Sequence, residues 1–185
     1  LALMTDLIGQ EIKHIPYYGL LEGQIAGRDV VVSQSGFSGE NGYEIYLRDA
    51  TLYAEDLWNT ILDIGKKHSL MVIAPAHHRR IAAGILSWGQ DMDFETLPFQ
   101  CNLGYQVPRN KKAEYVGKEA LETVRKQLEE GNTPFKTTLV GMEFGGKQID
   151  DYAPDFWLIS GHEGGDAIGY VTSPWYSPEL ETCLL

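Results

Sequence analysis

The chain has 185 residues, 43% of them hydrophobic and 22% charged, so it can bury a real core and is ordinary for a globular protein. Its net charge of -11 argues against a nucleic-acid partner, and its few basic clusters, "NKK" and "HHRR", do not form a basic face. No apolar run approaches the ~18 residues of a membrane span, and Cys101 and Cys183 stand far apart without a CxxC partner, which fits a reducing cytoplasm better than a disulfide framework.

In chain order, "LALMTDLIG" reads as the end of an amphipathic helix, with Leu1, Met4, Leu7 and Ile8 on one face and Gly9 near its stop. "LLEGQIAGRDVVVSQ" reads as a hairpin around an Ala-Gly-Arg-Asp turn, and "GENG" turns the chain again, with Asn41-Gly42 as a type I′ pair. The strand "YEIYL" follows. Asp49 is expected to cap a helix carrying Tyr53, Leu57, Trp58, Ile61 and Ile64 and ending at Gly65. A short strand, Leu70 to Ile73, precedes a helix that opens at Pro75 and holds Ile81, Ile85 and Leu86. Trp88 and Gly89 read as the end of a helix.

The polar "VPRNKKAEY" marks a boundary, giving expected domains at 1–108 and 109–185. Beyond it, a helix from Lys118 to Glu130 buries Ala120, Leu121, Val124 and Leu128, with Gly131 as its cap. Short strands follow in "TTLVGMEF", "DFWLIS" and "AIGYVTS". The expected fold class is α+β: a mixed or antiparallel sheet domain with helices, then part of a small C-terminal β-barrel. Leu1 is not an initiator Met and "TCLL" stops abruptly, as in a fragment.

Four stretches are candidates for chemistry. "SQSGFSGENGYEIYL" has three glycines in seven residues, but no Lys follows as a P-loop requires, and the glycines lead into a strand rather than a dinucleotide-binding helix. "GFSGE" lacks the spacing of a nucleophile elbow. In "YEIYL", Tyr43, Ile45 and Leu47 share one face, and Glu44 and Tyr46 the other. Glu44 is therefore either solvent-exposed or aimed into a cavity. In "HHRR", His77 and His78 are adjacent, which is wrong for chelation from one helix. "SWGQDMDFE" does not fit a calcium loop. "IGYVTSPWYSPEL" is a strand and a proline-punctuated turn.

Taken together these stretches resemble the glycine-cleavage T-protein (aminomethyltransferase) family. "SQSGFSGENGYEIYL" resembles the family's "SRTGYTGEDGFEI" hairpin, and "RRIAAGILSWGQDMDFETLPFQCNLGYQV" resembles "LRLEAGLxLYGxDID…TPxEAGLGW". "YVGKEAL" resembles "FIGKEAL", and "IGYVTSPWYSPEL" resembles "IGxVTSGxxSPxL". The resemblance spans nearly the whole chain, in order. It implies the latter part of a three-domain protein that binds tetrahydrofolate and moves a one-carbon unit to it.

The family's catalytic Asp falls outside this chain, so the resemblance assigns no catalytic residue here. It carries over Glu44 as the carboxylate that holds the pterin through its amino group and ring N–H. Tyr43, Arg80 and Trp88 are further cofactor-binding candidates, with Trp88 either an aromatic wall or a core packer. Against the family's "ARD…LRLE", this chain has Ala76, His77 and Ala82, and retains only Arg80; His78 or Arg79 then become candidates to hold the folate tail. These departures resemble the folate-dependent demethylase branch. The expected activity is demethylation of a small S- or O-methyl donor. The alternatives are glycine-cleavage aminomethyl transfer and a non-catalytic folate-binding relative. The expected partners are the small-molecule donor and the missing N-terminal domain of the same protein, with neither a nucleic acid nor a membrane.

Overall fold

A computed structural model describes residues 1–74, 77–145, 148 and 157–184. It has an α+β architecture with antiparallel sheets and divides into two compact units, Leu1–Ile85 and Leu86–Leu185. The boundary expected after residue 108 lies inside the second unit.

The first unit opens with α1 (Ala2–Ile8), where Met4 and Leu7 recur at helical spacing and are buried. A 3-10 turn, Gln10–His14, buries Ile12. Strands β1 (Leu20–Ile25), β2 (Arg28–Ser33) and β3 (Glu44–Leu47) form one antiparallel sheet in that order. The β1–β2 turn closes at Ile25 and Arg28, with Ala26 and Gly27 both at positive φ (50° and 74°), so the predicted hairpin forms on a two-residue turn.

The second predicted turn differs. Ser33 pairs with Glu44, so residues 34–43 form a long loop. Its positive φ is at Gly39, and neither Asn41 nor Gly42 has the positive φ that a type I′ pair needs.

Helix α2 (Ala50–Gly65) lays Leu57, Ile61 and Ile64 on the core of Ile25, Val30 and Val32, while Trp58 is exposed. Asp49 precedes it in the left-handed region and makes no side-chain cap; its carbonyl instead accepts the Leu52 N–H at 2.9 Å. The helix ends at Gly65 as expected, although Gly65 keeps helical φ and ψ and a 3-10 turn follows it. Leu70 packs so closely on Gly65 that a Cβ there would lie 2.4 Å from Leu70 Cδ2.

The expected strand at Leu70 to Ile73 does not form; those residues are exposed and outside any sheet. Pro75, expected to open the next helix, lies outside the described residues. Helix α3 (His77–Ala82) is short and ends before Ile85 and Leu86, because the chain turns at Gly84 (φ 67°).

In the second unit, Trp88 does not end a helix. It lies in an isolated bridge with Met92, and Gly89 (φ 80°) turns the chain between them. Helix α4 (Lys118–Glu129) forms as predicted, and Gly131 (φ 81°) follows it with its N–H on the Leu128 carbonyl. Leu121, Val124 and Leu128 are half-buried, but Ala120 is exposed.

Strands β4 (Glu143–Phe144), β7 (Trp175–Ser177) and β8 (Thr182–Leu184) form a second antiparallel sheet in the order β4-β8-β7. Strands β5 (Leu158–Ser160) and β6 (Ala167–Tyr170) pair separately. Cys101 and Cys183 are buried, and neither forms a disulfide. Among the described residues, no helix is long and apolar enough to cross a membrane, and no three His, Cys, Asp or Glu cluster to hold a metal.

Candidate functional site

The pleat of β3 determines which side chains can serve a ligand. Ile45 and Leu47 pack on the core, and Tyr43, on their side of the chain, packs with them. Glu44 and Tyr46 project from the other face and are exposed. Tyr43 was expected at the cofactor, but the alternation that frees Glu44 directs the neighbouring ring into the core.

Strand pairing extends the open face. Glu44 stands opposite Ser33, and Ser33 opposite Leu20; Tyr46 stands opposite Val31, and Val31 opposite Glu22. The Ser35 hydroxyl donates to Glu44 Oε2, and Ser35 Oγ is 3.0 Å from Ser33 Oγ. Ser33 Oγ is in turn 3.3 Å from the Gly19 carbonyl. The Glu44 carboxylate also acts on Tyr46: first by its negative charge, then with help from burial and a hydrogen bond, it holds the phenol above its usual pKa.

The long loop is held against the turn that follows α3. A Cβ built on Gly39 would lie 2.4 Å from Ala83 Cβ, so only glycine allows that approach. Behind this turn lies Arg80, only 2% exposed. Its guanidinium donates to the Ile85 carbonyl (3.3 Å) and sits 3.4 Å from His77 Nδ1, while its own carbonyl accepts the Ile85 N–H at 2.8 Å. Arg80 thus braces its own turn from inside. A buried guanidinium must find acceptors nearby, and here the main chain supplies one, which is why this expected folate contact is engaged inward. His77 and Ala82 are exposed, and His78 is half-buried; Ala76 lies outside the described residues.

In the second unit Trp88 is 57% exposed, and Phe94, 95% exposed, meets it edge to face at 4.8 Å. Trp88 does not pack into the core of the described residues. Its turn is held by Asp91, whose Oδ2 accepts the Ser87 N–H at 2.8 Å. Asp91 Oδ1 accepts the Thr172 hydroxyl at 2.6 Å and the Ser173 hydroxyl. "SWGQD" and "VTS", two of the stretches singled out in the sequence, therefore meet at one carboxylate.

Sequence reasoning missed Asp91, and it missed Ser33 and Ser35. The serines could have been found by pairing the strands, since Ser33 is the residue opposite Glu44 and Ser35 follows it by two positions. Asp91 carried no such local signal, because its partners are far away in sequence.

The Glu44 carboxylate fits what a pterin edge requires. It is exposed and bonded by Ser35 and by the Tyr46 phenol, with lone pairs left for two parallel N–H donors.

Residues 1–111 match the model of the GCVT N-terminal domain. The aminomethyltransferase of Bacillus pumilus is 32% identical over 184 residues, covering 97% of this chain and 46% of that protein. The Synechococcus aminomethyltransferase is 31% identical, with 96% and 45% covered. The solved structure of the glycine cleavage system aminomethyltransferase T from Bartonella henselae shares the fold, with a TM-score of 0.75 at 23% identity over 99% of this chain and 46% of that one. The chain thus spans about half the length of the curated relatives it matches. By its matched residues and its relatives, this chain belongs to the glycine-cleavage T-protein (aminomethyltransferase) family.

Proposed function

We propose that this chain supplies the pterin-binding part of a tetrahydrofolate-dependent one-carbon transferase. The observation that carries the proposal is the Glu44 carboxylate, exposed on the open face of its sheet and oriented by Ser35. It would accept from the pterin amino group and the adjacent ring N–H. Tetrahydrofolate itself supplies the nitrogen that takes up the one-carbon unit. Glu44→Gln keeps the shape but puts a donor against ring donors. It should cost roughly 1.5–3 kcal/mol of tetrahydrofolate binding, as expected for a charge-assisted hydrogen bond. Calorimetric titration of the full-length variant checks this, and unchanged affinity would remove Glu44 from the site.

Two donor classes are in view, each favoured by a specific observation. The names of the relatives favour transfer of an aminomethyl group, at least as strongly as anything in the sequence favours its rival, and the family resemblance implies its delivery on a lipoyl carrier protein. The rival is demethylation of a small S- or O-methyl compound. It is supported by Ala76, His77 and Ala82, which replace one cation and two carboxylates of the family pattern. The full-length protein, tetrahydrofolate and each donor class, followed by mass spectrometry of the folate, separate the two. Methylene-tetrahydrofolate formed only from the aminomethyl carrier selects the first, and methyl-tetrahydrofolate formed from a free methyl donor selects the second.

A further inference from the structure

We propose that Ser35 is a positioning residue, which holds the Glu44 carboxylate at the angle a ligand's paired N–H groups require. The proposal rests on the assignment of Glu44 to the pterin. Glu44 is exposed, and a glutamate side chain with three rotatable bonds would otherwise sample many orientations. The hydroxyl of Ser35 removes that freedom at Oε2.

Ser35 is itself held. It has one proton, and a carboxylate is a stronger acceptor than a hydroxyl, so that proton goes to Glu44. Ser33 Oγ stands 3.0 Å behind Ser35 Oγ and 3.3 Å from the Gly19 carbonyl. Gly19 is fixed in turn by the Tyr17–Tyr18 turn, where Gly19 N–H meets the Pro16 carbonyl at 2.7 Å and Gln34 N–H meets the Gly19 carbonyl at 3.1 Å. With the Ser35 proton on Glu44, the single proton of Ser33 goes either to Ser35 Oγ or to the Gly19 carbonyl. Two of the three contacts are therefore hydrogen bonds at once, and the Ser33 donation to Ser35 is the one that steadies Ser35.

On the far side, Tyr46 shares the strand face with Glu44. An ionised carboxylate has about four acceptor positions. With Ser35 on Oε2 and the Tyr46 phenol bonded to the same carboxylate, about two positions remain, enough for two parallel N–H donors. The ligand class that matches is a planar heterocycle carrying an amino group next to a ring N–H.

The test is a double-mutant cycle in the full-length protein, with tetrahydrofolate as probe and binding read by calorimetry. Ser35→Ala should weaken binding roughly 3- to 10-fold, and Ser35→Thr, which keeps the hydroxyl, should restore it. In a Glu44→Gln background, Ser35→Ala should change nothing, because its effect passes through the carboxylate. An equal loss in both backgrounds would make Ser35 merely structural and overturn the proposal, as would no loss in either. If Glu44→Gln binds as tightly as the wild type, the pterin assignment itself fails. If Glu44→Gln is weak but Ser35→Ala is not, only the positioning role fails.

Discussion

Gly39 determines how closely the loop leading to Glu44 can approach the turn after α3, and it does so in two separable ways. Its φ of +75° is costly for any residue with a Cβ, and a Cβ there would also overlap Ala83. Gly27 has a similar φ of +74° but nothing within 4 Å of where its Cβ would stand. Gly27→Ala is therefore expected to cost about 1 kcal/mol, the conformational part alone. Gly39→Ala should cost about 2–4 kcal/mol, because strain from the overlap adds to it. Urea unfolding of both variants measures the difference, and equal losses would mean that the contact with Ala83 has no energetic weight. At this scale the orientation of Glu44 was legible in the sequence, since strict alternation is a property of the extended backbone itself. Arg80 was not legible: a motif names a residue type, whereas the burial that turns its guanidinium inward depends on where α3 stops.

Among the elements, those with a long, unambiguous period could be read directly. α1, α2 and α4 carry apolar stripes at helical spacing, and β1–β2 carries two β-rich runs around a glycine-containing turn. The failures are short. Leu70 to Ile73 is apolar at every position and so has the composition of a buried strand, but a strand also needs a neighbouring edge, which sequence pattern does not supply. α3 stops at Ala82 because Gly84 turns the chain, although apolar residues continue beyond it.

One tie between elements is testable by pH. Asp6 on α1 meets Lys67 Nζ at 2.8 Å and His68 Nε2 at 2.6 Å, in the 3-10 turn that follows α2. Lys67 foremost, then His68, hold the Asp6 carboxyl below its usual pKa. A carboxylate with a depressed folded-state pKa stabilises the protein above its unfolded pKa, about 4. That stability is lost as pH falls through the lower folded value. Asp6→Asn should therefore be less stable than the wild type near neutrality, and the two should converge in acid. Thermal melts across pH 2–7 (roughly spanning both pKa values) check this; a constant gap at all pH values would show that the tie does not depend on ionisation.

For the whole molecule, the decisive fact is that the chain spans about half the length of the relatives it matches. Each unit has its own buried residues, Val30, Val32 and Leu57 in the first and Val107, Val171 and Cys183 in the second. Each also leaves large apolar groups in solvent: Leu70 to Ile73 in the first, and Phe94, Val116 and Ile168 in the second. On the proposed reading Glu44 would bind and orient a ring, but transfer also requires a donor site and a group that assists departure of the donor heteroatom. The family resemblance implies an acid outside these residues. Purified residues 1–185 are therefore expected to form no methyl- or methylene-tetrahydrofolate from either donor class, while the full-length protein does. The same fragment should also enhance the fluorescence of an apolar-surface dye, and the full-length protein should do so less per mole, if its remaining polypeptide covers those groups. Turnover by residues 1–185 alone, followed by mass spectrometry of the folate, would show that the reacting groups lie within this chain, and the search for them would then return to Asp91 and the exposed aromatic pair beside it.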